Sequence, residues 1–161
     1  PKIEHTFVDV NDFNYSVKQI LNDFDVILPV GMNVTLETEE LPGVQLNIDH
    51  LKLICGNLLV NSIEAMSEKL KKGGSPENQQ ISFRTFMENA KICLSVQDSG
   101  PGFPEGVLAR GATAIGGGKS GPGLGLRVVE DIVVERYGGK ILYGNNNLGG
   151  RVQLLLPGIS G

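Results

Sequence analysis

The chain has no apolar run near the ~20 residues that a membrane-spanning helix needs. It shows no secretory leader and no internal repeat. It has only two cysteines in 161 residues, Cys55 and Cys93. Both fall in apolar-periodic segments, which predicts buried free thiols in a reducing compartment. Positive charge is not in excess: 14 Lys and Arg face 18 Asp and Glu, a net charge of −4. That balance argues against nucleic acid as the main partner.

Glycine, by contrast, is abundant. There are 22 glycines, well above the usual share of about 7%. They cluster after residue 98 and mark that half as the loop-rich, functional part. With 40% hydrophobic and 20% charged residues, the composition fits a single domain over residues 1–161 with a substantial core.

The apolar periodicity predicts mixed elements. Phe7 to Val10 reads as a strand. Asn11 reads as the cap of a helix to about Leu28, with Phe13, Val17, Ile20, Leu21 and Phe24 on one face. Val34 to Glu37 and Val44 to Ile48 read as strands around the Leu41-Pro42-Gly43 turn. Asp49 is the expected cap of a long helix to about Lys71. Strands Ile81–Met87 and Lys91–Asp98 form a hairpin, with Ile92, Leu94, Val96 and Asp98 on one face. Residues 99–120 read as a long loop. A helix to about Tyr137 follows, stopped by Gly138-Gly139. Strands Lys140–Tyr143 and Arg151–Leu156 close the chain. Without strict alternation, this order predicts an α+β sandwich with helices over one sheet face.

Three constellations carry chemistry. In Lys119-Ser120-Gly121-Pro122-Gly123-Leu124-Gly125-Leu126, alternating glycines precede an apolar helix. Backbone N–H groups at a helix start favour an anion, so the segment reads as a phosphate cradle. In the long helix, Asn57, Asn61 and Glu64 share a stripe. Asparagine is a poor helix former, and a side-chain carbonyl can ligate Mg²⁺ beside phosphates; a solvated polar face is the other reading. In Asp98-Ser99-Gly100-Pro101-Gly102, the carboxylate points to the helix-covered side and must be paired there. An amino group on a flat heterocycle would satisfy it; a turn-forming Asp is the alternative.

Together and in this order, the Asn-x-x-x-Asn helix, the Asp-x-Gly-x-Gly turn and the Gly-x-Gly-Leu-Gly-Leu loop resemble the nucleotide-binding signature of the GHKL ATPase/kinase superfamily. The chain is similar over nearly its whole length to the catalytic and ATP-binding domain of a bacterial sensor histidine kinase. That resemblance implies the Bergerat fold: a mixed, mostly antiparallel sheet covered on one face by about three helices.

It also implies roles. Asn61 would ligate Mg²⁺ on ATP, and Asn57 would contact the phosphates. Asp98 would accept from the adenine amine, with Gly100 and Gly102 shaping the pocket. Gly121, Gly123 and Gly125 would wrap the phosphates, with Lys119 as a further contact. Leu124 and Leu126 would anchor the loop, and residues 103–120 would form the lid. In the ATPase branch a glutamate precedes the metal-binding asparagine by one turn; here Asn57 stands there, and an amide cannot accept a proton from water. The implied reaction is therefore phosphoryl transfer to a histidine on a dimerisation and phosphotransfer domain, for relay to a response regulator. Neither His5 nor His50 resembles the acceptor, which is expected upstream, leaving this fragment monomeric and cytoplasmic. The chain departs from the family at Pro122, at Val107-Leu108-Ala109-Arg110-Gly111 in the lid, at Tyr137, and at Gly149-Gly150-Arg151-Val152, where the closing strand of the family often carries a threonine. A serine/threonine kinase of the anti-sigma type and an inactive nucleotide-binding module are the alternatives.

Overall fold

The computed structural model of the chain describes residues 10–41, 46–73, 79–114 and 124–157. Its elements are α1 (Val10–Asp23), β1 (Met32–Glu37), α2 (Ile48–Lys71), β2 (Gln79–Glu88), β3 (Lys91–Asp98), α3 (Glu105–Arg110), α4 (Leu124–Glu130), β4 (Lys140–Asn145) and β5 (Gly150–Pro157). The five strands form one sheet in the order β1-β2-β3-β5-β4. β1 pairs in parallel with β2, and every other pairing is antiparallel. The parallel pair requires a crossover, and α2 provides it.

Side-chain alternation assigns the two faces. The register pairs Phe83 with Val96, Val96 with Val152, and Leu94 with Leu154. These residues are buried together with Ile81, Ile92 and Leu156. The helices close over them: Phe13 and Val17 of α1, Leu51, Ile54 and Leu58 of α2, and Leu126 and Val129 of α4 are all nearly solvent-free. This matches the expected two-layer sandwich. Both cysteines are buried and unpaired among the described residues. Burial pushes the Cys55 thiol up to about 12, so it stays protonated.

Several local expectations change. The strand read from Phe7 falls on residues 7–9, outside the described residues, and Val10 already opens α1. Asn11 therefore lies inside the helix. The helix stops at Asp23 and passes into a 3-10 turn over Asp25–Ile27. Pro29 keeps the helix from reaching Leu28, because it forces Leu28 into extended backbone (ψ 126°) and cannot donate to a helix ladder. The strand expected at Val44–Ile48 falls partly outside the described residues, and its last residue opens α2.

The cap of α2 is Asn47, not Asp49. Asn47 is extended (φ −68°, ψ 132°), and its Oδ1 accepts from the N–H of Asp49 at 2.8 Å and of His50 at 3.4 Å. Its own N–H donates to the Tyr137 hydroxyl at 3.0 Å. The span expected as loop after Ser99 contains α3 and a 3-10 turn over Gly111–Ala114. Pro104 starts this helix without needing a donor, and Val107 buries its apolar side. The helix expected to run to Tyr137 does so in two parts, with α4 continuing as a π-helical segment over Asp131–Arg136.

Replacing Asn47 with Ala should cost about 1 kcal/mol in urea unfolding, the usual value of an N-cap. Asp49→Ala should cost clearly less. The reverse order would restore Asp49 as the cap.

Candidate functional site

Asp98 ends β3 on the helix-covered face and is only 5% exposed. A carboxylate there must have partners. Its Oδ1 accepts from the Gly100 N–H at 2.8 Å and the Gly150 N–H at 3.2 Å. The Ser62 hydroxyl and the Lys69 ammonium also favour the ionised form. Lys69 itself donates to the Ser99 carbonyl at 2.9 Å. Desolvation is nonetheless the largest effect, and it raises the carboxyl above its ordinary 3.8.

The glycines let the chain come this close. Gly149 has φ +153°, and a Cβ there would fall 2.5 Å from the Asp98 carbonyl and 2.8 Å from the Gly100 nitrogen. A side chain at Gly149 would drive β5 away from Asp98. Gly100 packs on α2, where an added Cβ would meet Ala65 at 3.1 Å. The turn after β3 is thus held between the sheet and the helix.

A cavity of about 750 Å³ opens at this point. It brings Asp98 and Gly102 together with Asn61 and Glu64 of α2, and Phe103 and Gly150 complete the wall. Asn57 stands one turn earlier on α2. Its Nδ2 donates to the Leu53 carbonyl at 2.7 Å. A Cβ on Gly125 would sit 2.7 Å from its Oδ1, so the start of α4 lies directly against Asn57. Leu126 is anchored in the core, and Leu124 opens α4. Lys119, Gly121, Pro122 and Gly123 lie outside the described residues. A separate groove of about 570 Å³ between α1 and β1 contains none of the singled-out residues.

Among the described residues, no three or more His, Cys, Asp or Glu side chains converge. A hard cation would therefore need oxygens from a bound ligand, with a neutral amide such as Asn61 completing its shell. The amide and the cavity fit that arrangement.

Residues the motifs did not single out tie the elements around the cavity together. Asn145 pairs with the backbone of Phe103 through both amide atoms. Glu130 accepts from the Ala112 N–H at 2.6 Å and the Tyr143 hydroxyl at 2.8 Å. Tyr137, at a departure from the family pattern, bonds His50 Nδ1 at 2.6 Å and joins the end of the π-helical segment to the start of α2. Long-range contacts of this kind leave no periodic signal.

The fold is a two-layer α/β sandwich with a cavity beside a buried carboxylate, and comparison with known proteins gives its class. Residues 46–158 match the model of the family described as histidine kinase-, DNA gyrase B-, and HSP90-like ATPase. The chain belongs to that family. It is 32% identical to the C4-dicarboxylate transport sensor protein DctB of Pseudomonas aeruginosa over 139 residues, 81% of this chain and 22% of that protein. It superposes on the nucleotide-free catalytic domain of the histidine kinase ThkA with a TM-score of 0.76 and 26% identity, covering 96% of this chain and 98% of that one. A structure of ThkA in complex with the response regulator TrrA matches with a TM-score of 0.72 and 23% identity, over 94% of this chain and 41% of that one. The chain spans roughly a fifth or less of the curated full-length relatives it matches, from 22% down to 11%. No helix among the described residues is long and apolar enough to cross a membrane.

The raised Asp98 carboxyl has a signed consequence. The native state holds this proton more tightly than the unfolded chain, so between 3.8 and the raised native value its contribution to stability grows as pH falls. Urea unfolding across acidic pH should show this component in the ligand-free chain and lose it in Asp98→Asn. Identical pH profiles would remove Asp98 as its source.

Proposed function

We propose that the chain is the nucleotide-binding catalytic domain of a sensor histidine kinase, which binds MgATP and passes its γ-phosphoryl group to a histidine on another domain. The observation that carries this reading is the buried carboxylate of Asp98 at the head of the cavity. Two backbone N–H groups occupy Oδ1 and the Ser62 hydroxyl also bonds the carboxylate; the lone pairs that remain on a two-oxygen acceptor can take an exocyclic amine. A nucleobase that presents a carbonyl there would meet a carboxylate with no donor, so adenine is preferred over hypoxanthine or guanine.

Asn61 supplies a neutral oxygen toward Mg²⁺, and the metal's part is to neutralise phosphate charge. Asn57 lies between Asn61 and the first turn of α4, where backbone N–H groups suit phosphate oxygens. Gly121, Gly123 and Lys119 belong to the same phosphate end in this reading. An amide at position 57 cannot activate water, so the site favours transfer to a protein acceptor through positioning and charge neutralisation. The acceptor histidine belongs to a dimerisation and phosphotransfer domain, and a response regulator receives the phosphoryl group next. ThkA, whose fold this chain shares, is seen in complex with the response regulator TrrA, and a partner of that kind fits this reading. We further propose that the domain works in the cytoplasm and is monomeric by itself.

Calorimetric titration with MgADP should give a saturable heat; none at millimolar nucleotide would overturn the reading. Asp98→Asn should weaken binding by about 1–3 kcal/mol, the cost of a mismatched buried polar pair. Asn61→Ala should leave ADP binding indifferent to Mg²⁺; an undiminished response to metal would remove Asn61 as the ligand.

A further inference from the structure

Phe103 occupies a position that its own sequence neighbourhood does not explain. It follows Gly102, whose φ is +89°, and it lines the cavity beside Asp98. Its ring meets Tyr143 edge-on, with centroids 5.3 Å apart and planes at 73°. On the other side it covers Gly150, where an added Cβ would lie 3.2 Å from the ring. Gly150 is the residue whose N–H holds Asp98 Oδ1. The ring therefore roofs one of the two backbone donors that aim the carboxylate.

What holds Phe103 there is Asn145, 42 residues away at the end of β4. The Phe103 N–H donates to Asn145 Oδ1 at 2.7 Å, and Asn145 Nδ2 donates to the Phe103 carbonyl at 2.8 Å. One amide thereby satisfies both backbone groups of a residue that belongs to no helix or strand. The fit is close, since a Cβ on Gly102 would fall 2.8 Å from Asn145 Oδ1. The next residue is committed elsewhere: Asn146 Oδ1 accepts from the N–H groups of Leu148 and Gly149, and its Nδ2 donates to Gln97. Within the Asn145-Asn146-Asn147 run, Asn145 thus reaches the cavity wall while Asn146 builds the β4–β5 turn.

We infer that Asn145 is a positioning residue for base recognition, acting through Phe103 to shape the wall that faces a purine and to cover the Gly150 donor behind Asp98. The inference rests on the nucleotide reading of the cavity. Its chemistry is not interchangeable. Aspartate keeps the acceptor for the Phe103 N–H but sets a second oxygen against the Phe103 carbonyl. Alanine loses both bonds.

The test is a double-mutant cycle on the 161-residue chain, with MgADP affinity measured by calorimetry. Asn145→Ala should weaken MgADP roughly tenfold, about what two lost hydrogen bonds allow; Phe103→Ala keeps those backbone bonds but removes the ring from the wall, and should weaken MgADP to a similar extent. The double variant should be no weaker than either alone, because both remove the same wall. Phe103→Ala changes no residue of β4 and keeps the Asn145 backbone bonds, so it probes the same arm even if Asn145→Ala unfolds. Inorganic tripolyphosphate, which has no base, should bind all variants as it binds the unmodified chain. Losses that multiply in the double variant, or equal losses for tripolyphosphate, would show a merely structural role and overturn the inference. So would full MgADP affinity in Asn145→Ala or Phe103→Ala. No binding of MgADP by the unmodified chain would instead overturn the nucleotide reading, and this inference with it.

Discussion

The buried carboxylate of Asp98 is the constraint on which the rest of the site depends. A charge at 5% exposure persists only if the protein supplies donors. The donors come from two places: the turn that follows β3 and the first residue of β5. For both to reach one oxygen, β5 must pair with β3 in register and begin at Gly150. Gly149 must adopt a conformation that a side chain would forbid. The β3–β5 pairing and the Gly149-Gly150 pair together bring both N–H groups to that oxygen.

The same carboxylate explains why α2 runs where it does. Ala65 packs on Gly100, and Ser62 and Lys69 from the same helix favour the ionised form of Asp98. Once α2 is seated by Leu51, Ile54 and Leu58 in the core, Asn61 and Glu64 turn to the cavity and Asn57 turns to Gly125. One helix thus joins the Asp98 end of the cavity to the start of α4. The parallel crossover from β1 to β2 makes this geometry available, because it carries α2 across the sheet face.

Much of this was legible in the order of residues. Alternation along β3 put Asp98 on the same face as Ile92, Leu94 and Val96, and they are buried together. Helical spacing along α2 aligns Leu51, Ile54, Cys55, Leu58, Ser62, Ala65 and Met66 in one stripe, and all but the half-buried Ala65 are buried. Local backbone chemistry was read less well. Asn47 and Asp49 are both good caps by type, and only the extended backbone at Asn47 decides between them. The glycine count between Ser99 and Ser120 masked α3, whose helical signal is one buried valine behind a proline. The π-helical segment has no periodic signature, since one wider turn does not alter an apolar pattern that short.

The sequence by itself determined the chemical types at the site and their order: an acceptor carboxylate, neutral amides on a helix, and glycines before a helix start. Periodicity and motif spacing are local, and they need only neighbouring residues to be read. Tertiary structure alone decided which residues hold those groups in place. Asn145 on Phe103, Glu130 on Ala112 and Tyr143, and Gly150 on Asp98 are all non-local contacts. Each depends on strand register and helix seating, which are properties of the packed core, and no spacing along the chain encodes them.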